Sequence, residues 1–187
     1  MLTPAEAQAI LDGSEEIFSA AEVNRALHRV AGEIAARLAD RYPMLLSVMG
    51  GAVVFTGQLL PLLRFPLDFD TIHATRYGDQ TQGGQLTWKL RPRENVAGRT
   101  VLIVDDILDQ GHTLATIRDM VLQLGATEVL SCVFADKQTG KAKPISADFV
   151  GLQVPDRFVF GFGMDVSGAW RNLPAIHALQ QGGEAGG

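Results

Sequence analysis

The densest group of residues able to carry chemistry lies in the segment VLIVDDILDQGHT, residues 101–113. It begins with a short run of β-branched residues and leucine, which predicts a strand buried on both faces. Asp105 and Asp106 stand at the carboxyl end of this strand, and a loop then carries Asp109 and Thr113 towards a helix. Because open α/β sheets bind ligands at the carboxyl ends of their strands, these residues are predicted to line a binding crevice.

The loop from 109 to 113 has the features of a phosphate-binding loop. Its backbone amides, Gly111, the Thr113 hydroxyl and the N-terminus of the following helix can together surround phosphate oxygens without a lysine. Asp105 and Asp106 can accept hydrogen bonds from a sugar diol or help to hold a magnesium ion. Asp109, three residues further on, is predicted to lie nearer to the reacting centre.

Two other interpretations fit the same residue types. The segment could be a polar turn with capping acids, or it could be the aspartate pocket of a phosphoacceptor receiver domain. A receiver domain carries its paired acids near its start, whereas here 82 residues follow Asp105 in a chain of 187. The position of the acids therefore argues against a receiver domain.

The composition indicates one globular domain and excludes several classes of protein. Of the 187 residues, 47% are hydrophobic and 20% are charged, which is enough apolar material for a core. The 16 basic residues against 21 acidic ones give a net charge of -5, so we expect no binding to nucleic acid or to an anionic membrane. Cys132 is the single cysteine, and no signal-peptide pattern is present, so a cytoplasmic location is expected.

One uncharged run, residues 43–63, is long enough to span a membrane. The Gly50–Gly51 pair and Pro61 divide it into a strand-like piece and a helix-like piece. This pattern predicts a strand, a glycine turn and a helix over residues 44–60 rather than a membrane span.

The remaining pattern predicts an α/β domain with a mainly parallel central sheet flanked by helices. Capping-box sequences at residues 3–6 and 19–22 predict two opening helices, the second with an apolar stripe from Val23 to Leu38. A further helix is predicted over residues 114–124 and a loop over 76–84. Strands are predicted over residues 66–75, 85–90, 100–104, 128–135 and 157–160.

The segment 101–113 resembles the phosphoribosyl pyrophosphate signature of type I phosphoribosyltransferases. The stretch ADFVGLQVPDRFVFGFGMDVSGAWRNLP, residues 147–174, resembles the end of the hypoxanthine-guanine phosphoribosyltransferases. The resemblance covers about residues 45–179. It implies a type I phosphoribosyltransferase fold as a single domain over residues 1–187. A small hood is expected mainly from residues 147–187 and part of the N-terminus.

The resemblance implies a role for each matching residue around the sugar and the base. Asp105 and Asp106 would contact the ribose hydroxyls, and Asp109 would face the imidazole-ring nitrogen of a purine as general base. Lys137, which stands where the family has its purine-reading lysine, would donate to the 6-oxo group. The 5-phosphate would be held by the loop residues Gln110, Gly111, His112 and Thr113, while the base would stack on Phe158 and pair with the backbone of Val159.

The resemblance also implies residues for the pyrophosphate, the metal and a lid. Arg171 and the Met49–Gly50 turn would hold pyrophosphate, and a magnesium cofactor would be held by Asp165 with Asp105 and Asp106. The segment 76–85, which begins with Arg76 and Tyr77, would close over the reaction as a lid.

Three positions depart from the family's pattern. Gln110 stands where threonine is common, and this removes one hydroxyl from the phosphate loop but leaves its amides. Met49 stands where a basic residue is frequent, so only its backbone can bind pyrophosphate. His112 replaces a lysine of some relatives, so a cation is not required there.

The function implied is purine salvage, in which hypoxanthine or guanine and phosphoribosyl pyrophosphate give the nucleotide and pyrophosphate. One alternative is the same chemistry with a preference for xanthine. Another is a nucleotide-sensing regulator of the same fold that binds RNA, but the pI near 5.3 argues against the basic face that such a protein needs. The apolar helices predict a homodimer or a homotetramer.

Overall fold

The computed structural model describes residues 2–76, 86–92 and 95–180. Its helices are α1 (Pro4–Asp12), α2 (Ala20–Leu38), α3 (Ala52–Leu59) and α4 (His112–Gln123), with a 3-10 turn at Leu60–Leu62. Its strands are β1 (Ser14–Phe18), β2 (Met44–Val48), β3 (Asp68–Arg76), β4 (Leu86–Leu90), β5 (Thr100–Leu108), β6 (Glu128–Gln138), β7 (Phe149–Pro155), β8 (Val159–Phe160) and β9 (Ile176–Leu179).

Six strands form the main sheet in the order β4-β3-β2-β5-β6-β7. All neighbours in this sheet are parallel except β3 and β4, which are antiparallel. Every residue of β2 is buried, and so are residues 101–104 of β5, as expected for central strands covered on both faces. The predicted α/β fold with a mainly parallel sheet is confirmed.

Helices cover both faces of the main sheet. On one face α2 and α3 pack into a core that contains the touching rings of Phe55, Phe134 and Phe162. On the other face α4 packs into a second apolar cluster through Ile117 and Val121. Both predicted capping boxes are present, at the starts of α1 and α2, and the apolar stripe of α2 is buried as predicted.

The hood is smaller than the predicted 147–187. Residues 149–155 form β7, which pairs in parallel with β6 at the edge of the main sheet. The hood is instead the three-stranded antiparallel sheet β1-β9-β8, which joins the N-terminal strand to the C-terminal part of the chain. Local pattern gives no sign of this division, because the sequence FVGLQVP of β7 does not alternate clearly between apolar and polar residues. In addition, β1 and β9 are stabilised by pairing with a strand far away in the sequence.

The uncharged run 43–63 is divided as predicted. It forms β2, a glycine turn, α3 and the 3-10 turn. Within residues 2–76, 86–92 and 95–180, no helix is both long enough and apolar enough to cross a membrane.

Candidate active site

A cleft of about 700 Å³ opens at the carboxyl ends of β2 and β5. This volume is typical of a small-molecule site. Most of the residues singled out in the sequence lie here together. The lining residues are Val48, Met49, Gly51, Ala74, Asp105, Asp106, Ile107, Leu108, Asp109, Gln110, Gly111, His112, Thr113, Leu114, Asp165 and Arg171.

The floor of the cleft is formed by the end of β5, which runs four residues beyond its predicted end. Asp105 Oδ1 accepts a hydrogen bond from the backbone amide of Asp106 at 2.9 Å, and Asp106 Oδ1 accepts one from the amide of Ile107 at 2.8 Å. Burial, followed by the charge of Asp106, raises the pKa of Asp105 well above its usual range. Burial also raises the pKa of Asp106, although its hydrogen bonds and the charge of Arg171 oppose that shift. The pair would therefore be stabilised by hydroxyl donors or by a cation.

The phosphate loop leads directly into α4. Gly111 has a φ of 81°, a left-handed conformation that glycine adopts without strain, and it lies immediately before the first residue of α4. Its carbonyl accepts the first helical hydrogen bond, from Ala115, at 3.0 Å. Because the first turn of a helix has backbone amides without partners inside the helix, this geometry suits a phosphate dianion.

Asp109 and Lys137 form an ion pair beside the loop, with Lys137 Nζ 2.9 Å from Asp109 Oδ2. The side chain of Lys137 is only 12% exposed, whereas that of Asp109 is 49% exposed. The pairing of β5 with β6 explains the contact, because Leu108 lies opposite Asp136. Asp109, which follows Leu108, and Lys137, which follows Asp136, are therefore brought close together. Lys137 is thus not a solvated surface lysine.

Asp165 and Arg171 also line the cleft, and they pair with each other. Arg171 Nη2 forms an ion pair with Asp165 Oδ1, and Arg171 Nη1 donates to the carbonyl of Gly163 at 2.6 Å. Asp165 Oδ2 accepts a hydrogen bond from the amide of Gly168 at 2.7 Å. Asp165, which was assigned to the metal, and Arg171, which was assigned to pyrophosphate, therefore lie in direct contact.

The carboxylates fit a magnesium ion only in part. In the described portion of the chain, no group of three or more His, Cys, Asp or Glu side chains is arranged to hold a metal by itself, and the assignment of Asp105, Asp106 and Asp165 to magnesium stays a prediction. Magnesium, however, is usually bound by one or two carboxylates together with waters and substrate phosphates. Asp105, Asp106 and Asp165 all line a cleft that also contains the phosphate loop, and this arrangement is compatible with that mode.

Lys137, Phe158 and Val159 lie outside the lining of the cleft, although Lys137 contacts Asp109, which is part of that lining. The side chain of Val159 is buried in the hood, whereas Phe158 is 46% exposed. The Phe158 carbonyl accepts a hydrogen bond from the amide of Leu179 at 2.9 Å, which fixes this part of the hood. Gly50 is not among the lining residues either, although its neighbours Met49 and Gly51 are.

Two glycines that the sequence did not single out for the site bring its walls together. A Cβ atom on Gly51 would lie 1.6 Å from Asp106 Oδ2. A Cβ atom on Gly163, whose φ is 105°, would lie 2.1 Å from the carbonyl oxygen of Gly51. The turn after β2 therefore packs directly between Asp106 and the segment that carries Asp165. In the sequence, two adjacent glycines after a predicted strand indicate the close approach at Gly51. No local pattern indicates the close approach at Gly163.

The predicted lid is mostly untested by the structure. Arg76 is the last residue of β3, and Tyr77 with the rest of the segment to residue 85 lies outside the described residues.

Comparison with known proteins gives a consistent result. The sequence model of the family described as "Phosphoribosyl transferase domain" matches residues 13–167. The hypoxanthine-guanine phosphoribosyltransferase of Bacillus subtilis (strain 168) is 31% identical over 170 residues, which are 90% of this chain and 94% of the relative. The hypoxanthine-guanine-xanthine phosphoribosyltransferase of Tritrichomonas foetus is 30% identical over 174 residues, 92% of this chain and 95% of the relative.

Solved structures agree with the sequence relatives. A crystal structure of a hypoxanthine-guanine phosphoribosyltransferase from Bacillus anthracis has a TM-score of 0.83 and 27% identity, and the match covers 88% of this chain and 97% of that one. Since the family matches most of the chain and the relatives are matched over nearly their whole length, the chain belongs to the phosphoribosyltransferase family, among the hypoxanthine-guanine phosphoribosyltransferases.

Proposed function

We propose that this enzyme transfers the phosphoribosyl group of phosphoribosyl pyrophosphate to hypoxanthine or guanine, which gives IMP or GMP and pyrophosphate. The observation that carries the proposal is the Lys137–Asp109 pair beside the cleft. A 6-oxopurine has an acceptor, its 6-oxo oxygen, next to a ring N7–H donor. An ammonium donor next to a carboxylate acceptor is complementary to that edge of the base.

Phosphoribosyl pyrophosphate would lie along the cleft from α4 to Arg171. The amides of the 109–113 loop and the Thr113 hydroxyl would bind the 5-phosphate at the start of α4. Asp105 and Asp106 would accept hydrogen bonds from the ribose hydroxyls. Arg171 and the backbone of the Met49–Gly50 turn would bind the pyrophosphate.

In the reaction, the bond between the ribose C1′ and the pyrophosphate oxygen breaks, and its electron pair leaves with pyrophosphate. The lone pair of purine N9 forms the new bond to C1′, which has oxocarbenium character during the exchange. Asp109 accepts the proton of N7, so electron density flows towards N9 as it attacks. The lid segment would exclude water, which would otherwise trap the cation.

Magnesium would supply neutralisation of the charge that develops on the pyrophosphate. Asp165 would hold the ion together with phosphate oxygens and waters, while Asp105 and Asp106 would orient the ribose hydroxyls near it.

Removal of magnesium is expected to abolish turnover. Charge neutralisation by a metal is worth several kcal/mol at the transition state, so excess EDTA should lower the rate at least about a hundredfold. Steady-state rates measured with EDTA, and again after magnesium is restored, test this expectation. Full activity in excess EDTA would contradict the metal requirement.

The direct test of the proposed function is a spectrophotometric assay of four purines with phosphoribosyl pyrophosphate and magnesium. Hypoxanthine and guanine are expected to be converted, and adenine is not. Rates without phosphoribosyl pyrophosphate are the control. No turnover of any purine would refute the function, and a preference for xanthine would favour the xanthine-preferring alternative.

The other properties predicted from the sequence have unequal support. No observation favours the RNA-binding regulator, and the net charge of -5 still opposes it. A homodimer or homotetramer and a cytoplasmic location stay predictions.

A further inference from the structure

Lys143 lies in the connection between β6 and β7, and its ammonium group is surrounded by oxygen atoms of the neighbouring strands. Its Nζ donates to the carbonyl of Leu108 at 2.8 Å, to the carbonyl of Lys137 at 2.6 Å and to Asp136 Oδ1 at 2.6 Å. An ammonium group has three N–H donors, and here each has an acceptor. The side chain is only 14% exposed, so these bonds are largely protected from water.

The acceptors of Lys143 connect it to both members of the base-binding pair. Leu108 immediately precedes Asp109, and it is the last residue of β5, so Asp109 lies just beyond the ladder between β5 and β6. The second carbonyl belongs to Lys137 itself. One side chain therefore joins the backbone that carries the carboxylate to the backbone that carries the ammonium.

An opposite charge nearby allows Lys143 to bind the two backbone carbonyls from a partly buried position. The Asp136 carboxylate neutralises its ammonium group, and both belong to charge-assisted hydrogen bonds, which are the stronger class. Lys143 is not among the residues that line the cleft, so any effect on the reaction has to pass through its neighbours.

We propose that Lys143 is a positioning residue that sets the spacing of Asp109 and Lys137 for the 6-oxo and N7 edge of the purine, an inference that rests on the proposed function. Without the ammonium group, the carboxyl ends of β5 and β6 would lose their common donor. The 2.9 Å separation of the ion pair would then vary, and the base would be bound in a range of orientations. Small misplacements of this kind reduce the rate of a reaction strongly.

The test compares Lys143→Met with Lys141→Met. Methionine preserves the length of the side chain but donates no hydrogen bond, and Lys141 is an exposed lysine of the same loop, so its variant controls for the loss of one charge. Lys143→Met is expected to lower kcat/KM for hypoxanthine roughly 10- to 100-fold, with KM for phosphoribosyl pyrophosphate changed less than about twofold. Lys143→Arg, which keeps a cation and several donors, should recover part of the loss.

A second set of measurements separates positioning from a purely structural role. If Lys143 acts through Lys137, Lys143→Met should cost much less in a Lys137→Ala background than in the wild type. Amide hydrogen exchange of residues 108–113 and 136–140 should also be faster in Lys143→Met than in Lys141→Met, and this readout needs no catalytic activity.

The possible outcomes are distinct. Kinetics of Lys143→Met equal to those of Lys141→Met would overturn the inference. So would a lowered Tm with equal losses for both substrates, or full additivity with Lys137→Ala, because each indicates a structural role alone. If the wild type converts no purine, the proposed function fails, while the exchange comparison still decides whether Lys143 holds the two segments.

Discussion

Replacement of Asp109 by asparagine is expected to lower the rate of the chemical step by on the order of 10²-fold or more. Asparagine keeps the size of the side chain and an oxygen that can face Lys137, but it cannot accept the N7 proton. The side chain is half exposed beyond the end of β5, so the exchange removes no core volume. The fold and the binding of phosphoribosyl pyrophosphate should therefore be preserved.

Single-turnover measurements are the appropriate check on this variant. In many enzymes, product release rather than the chemical step limits kcat. A steady-state kcat would then hide part of a loss in the chemical step. Asp119→Asn, which removes an exposed carboxylate from α4, is the matched control and should behave as the wild type does. A single-turnover rate for Asp109→Asn close to that of the wild type would show that Asp109 is not the base.

The parts of the fold that depend on local pattern were predictable from the sequence. Both capping boxes form, the strand before Asp105 is buried, and the 109–113 loop leads into a helix as expected. These features depend on residues close together in the chain, whose hydrogen bonds and periodicity are visible in a short window.

Features that depend on distant partners were missed or misplaced. β1 pairs with β9, more than 150 residues away, and β7 is held by β6 rather than by the hood. The sequence SEEIF of β1 is partly exposed and carries two glutamates, so nothing in it signals a strand. Its conformation is set by the tertiary pairing, which overrides weak local propensity.

The candidate site likewise contains residues that a local pattern predicts and residues that depend on distant contacts. The residues from 105 to 113 could be assigned to one site from the sequence, because they lie on a single strand and the loop that follows it. The contact of Lys137 with Asp109 joins residues 28 apart, and the packing of Gly163 on Gly51 joins residues more than a hundred apart. Only the resemblance to a family pointed to Lys137, and only the three-dimensional structure identifies Lys143 and Gly163.

Replacement of Lys137 by alanine is expected to narrow the preference for 6-oxopurines over adenine. The Lys137 ammonium group can donate to a 6-oxo oxygen but has no acceptor for the 6-amino group of adenine. Since Lys137 is only 12% exposed, water cannot easily satisfy a donor that the base leaves unpaired. An unsatisfied buried donor costs about 1–3 kcal/mol, and the lost bond adds to this, so discrimination of roughly 10³-fold is within reach.

The Lys137→Ala variant should consequently show a large fall in kcat/KM for hypoxanthine and guanine, a smaller change for adenine, and a nearly unchanged KM for phosphoribosyl pyrophosphate. Asp109 loses its ion partner in this variant, but its half-exposed carboxylate stays solvated, so the proton acceptor is kept. Lys141→Ala removes an exposed lysine four residues away and is the matched control. If Lys137→Ala retains the purine preference and rate of the wild type, the selectivity must come from backbone groups near Val159 instead. If the wild type itself prefers adenine, the assignment of a 6-oxopurine substrate is wrong.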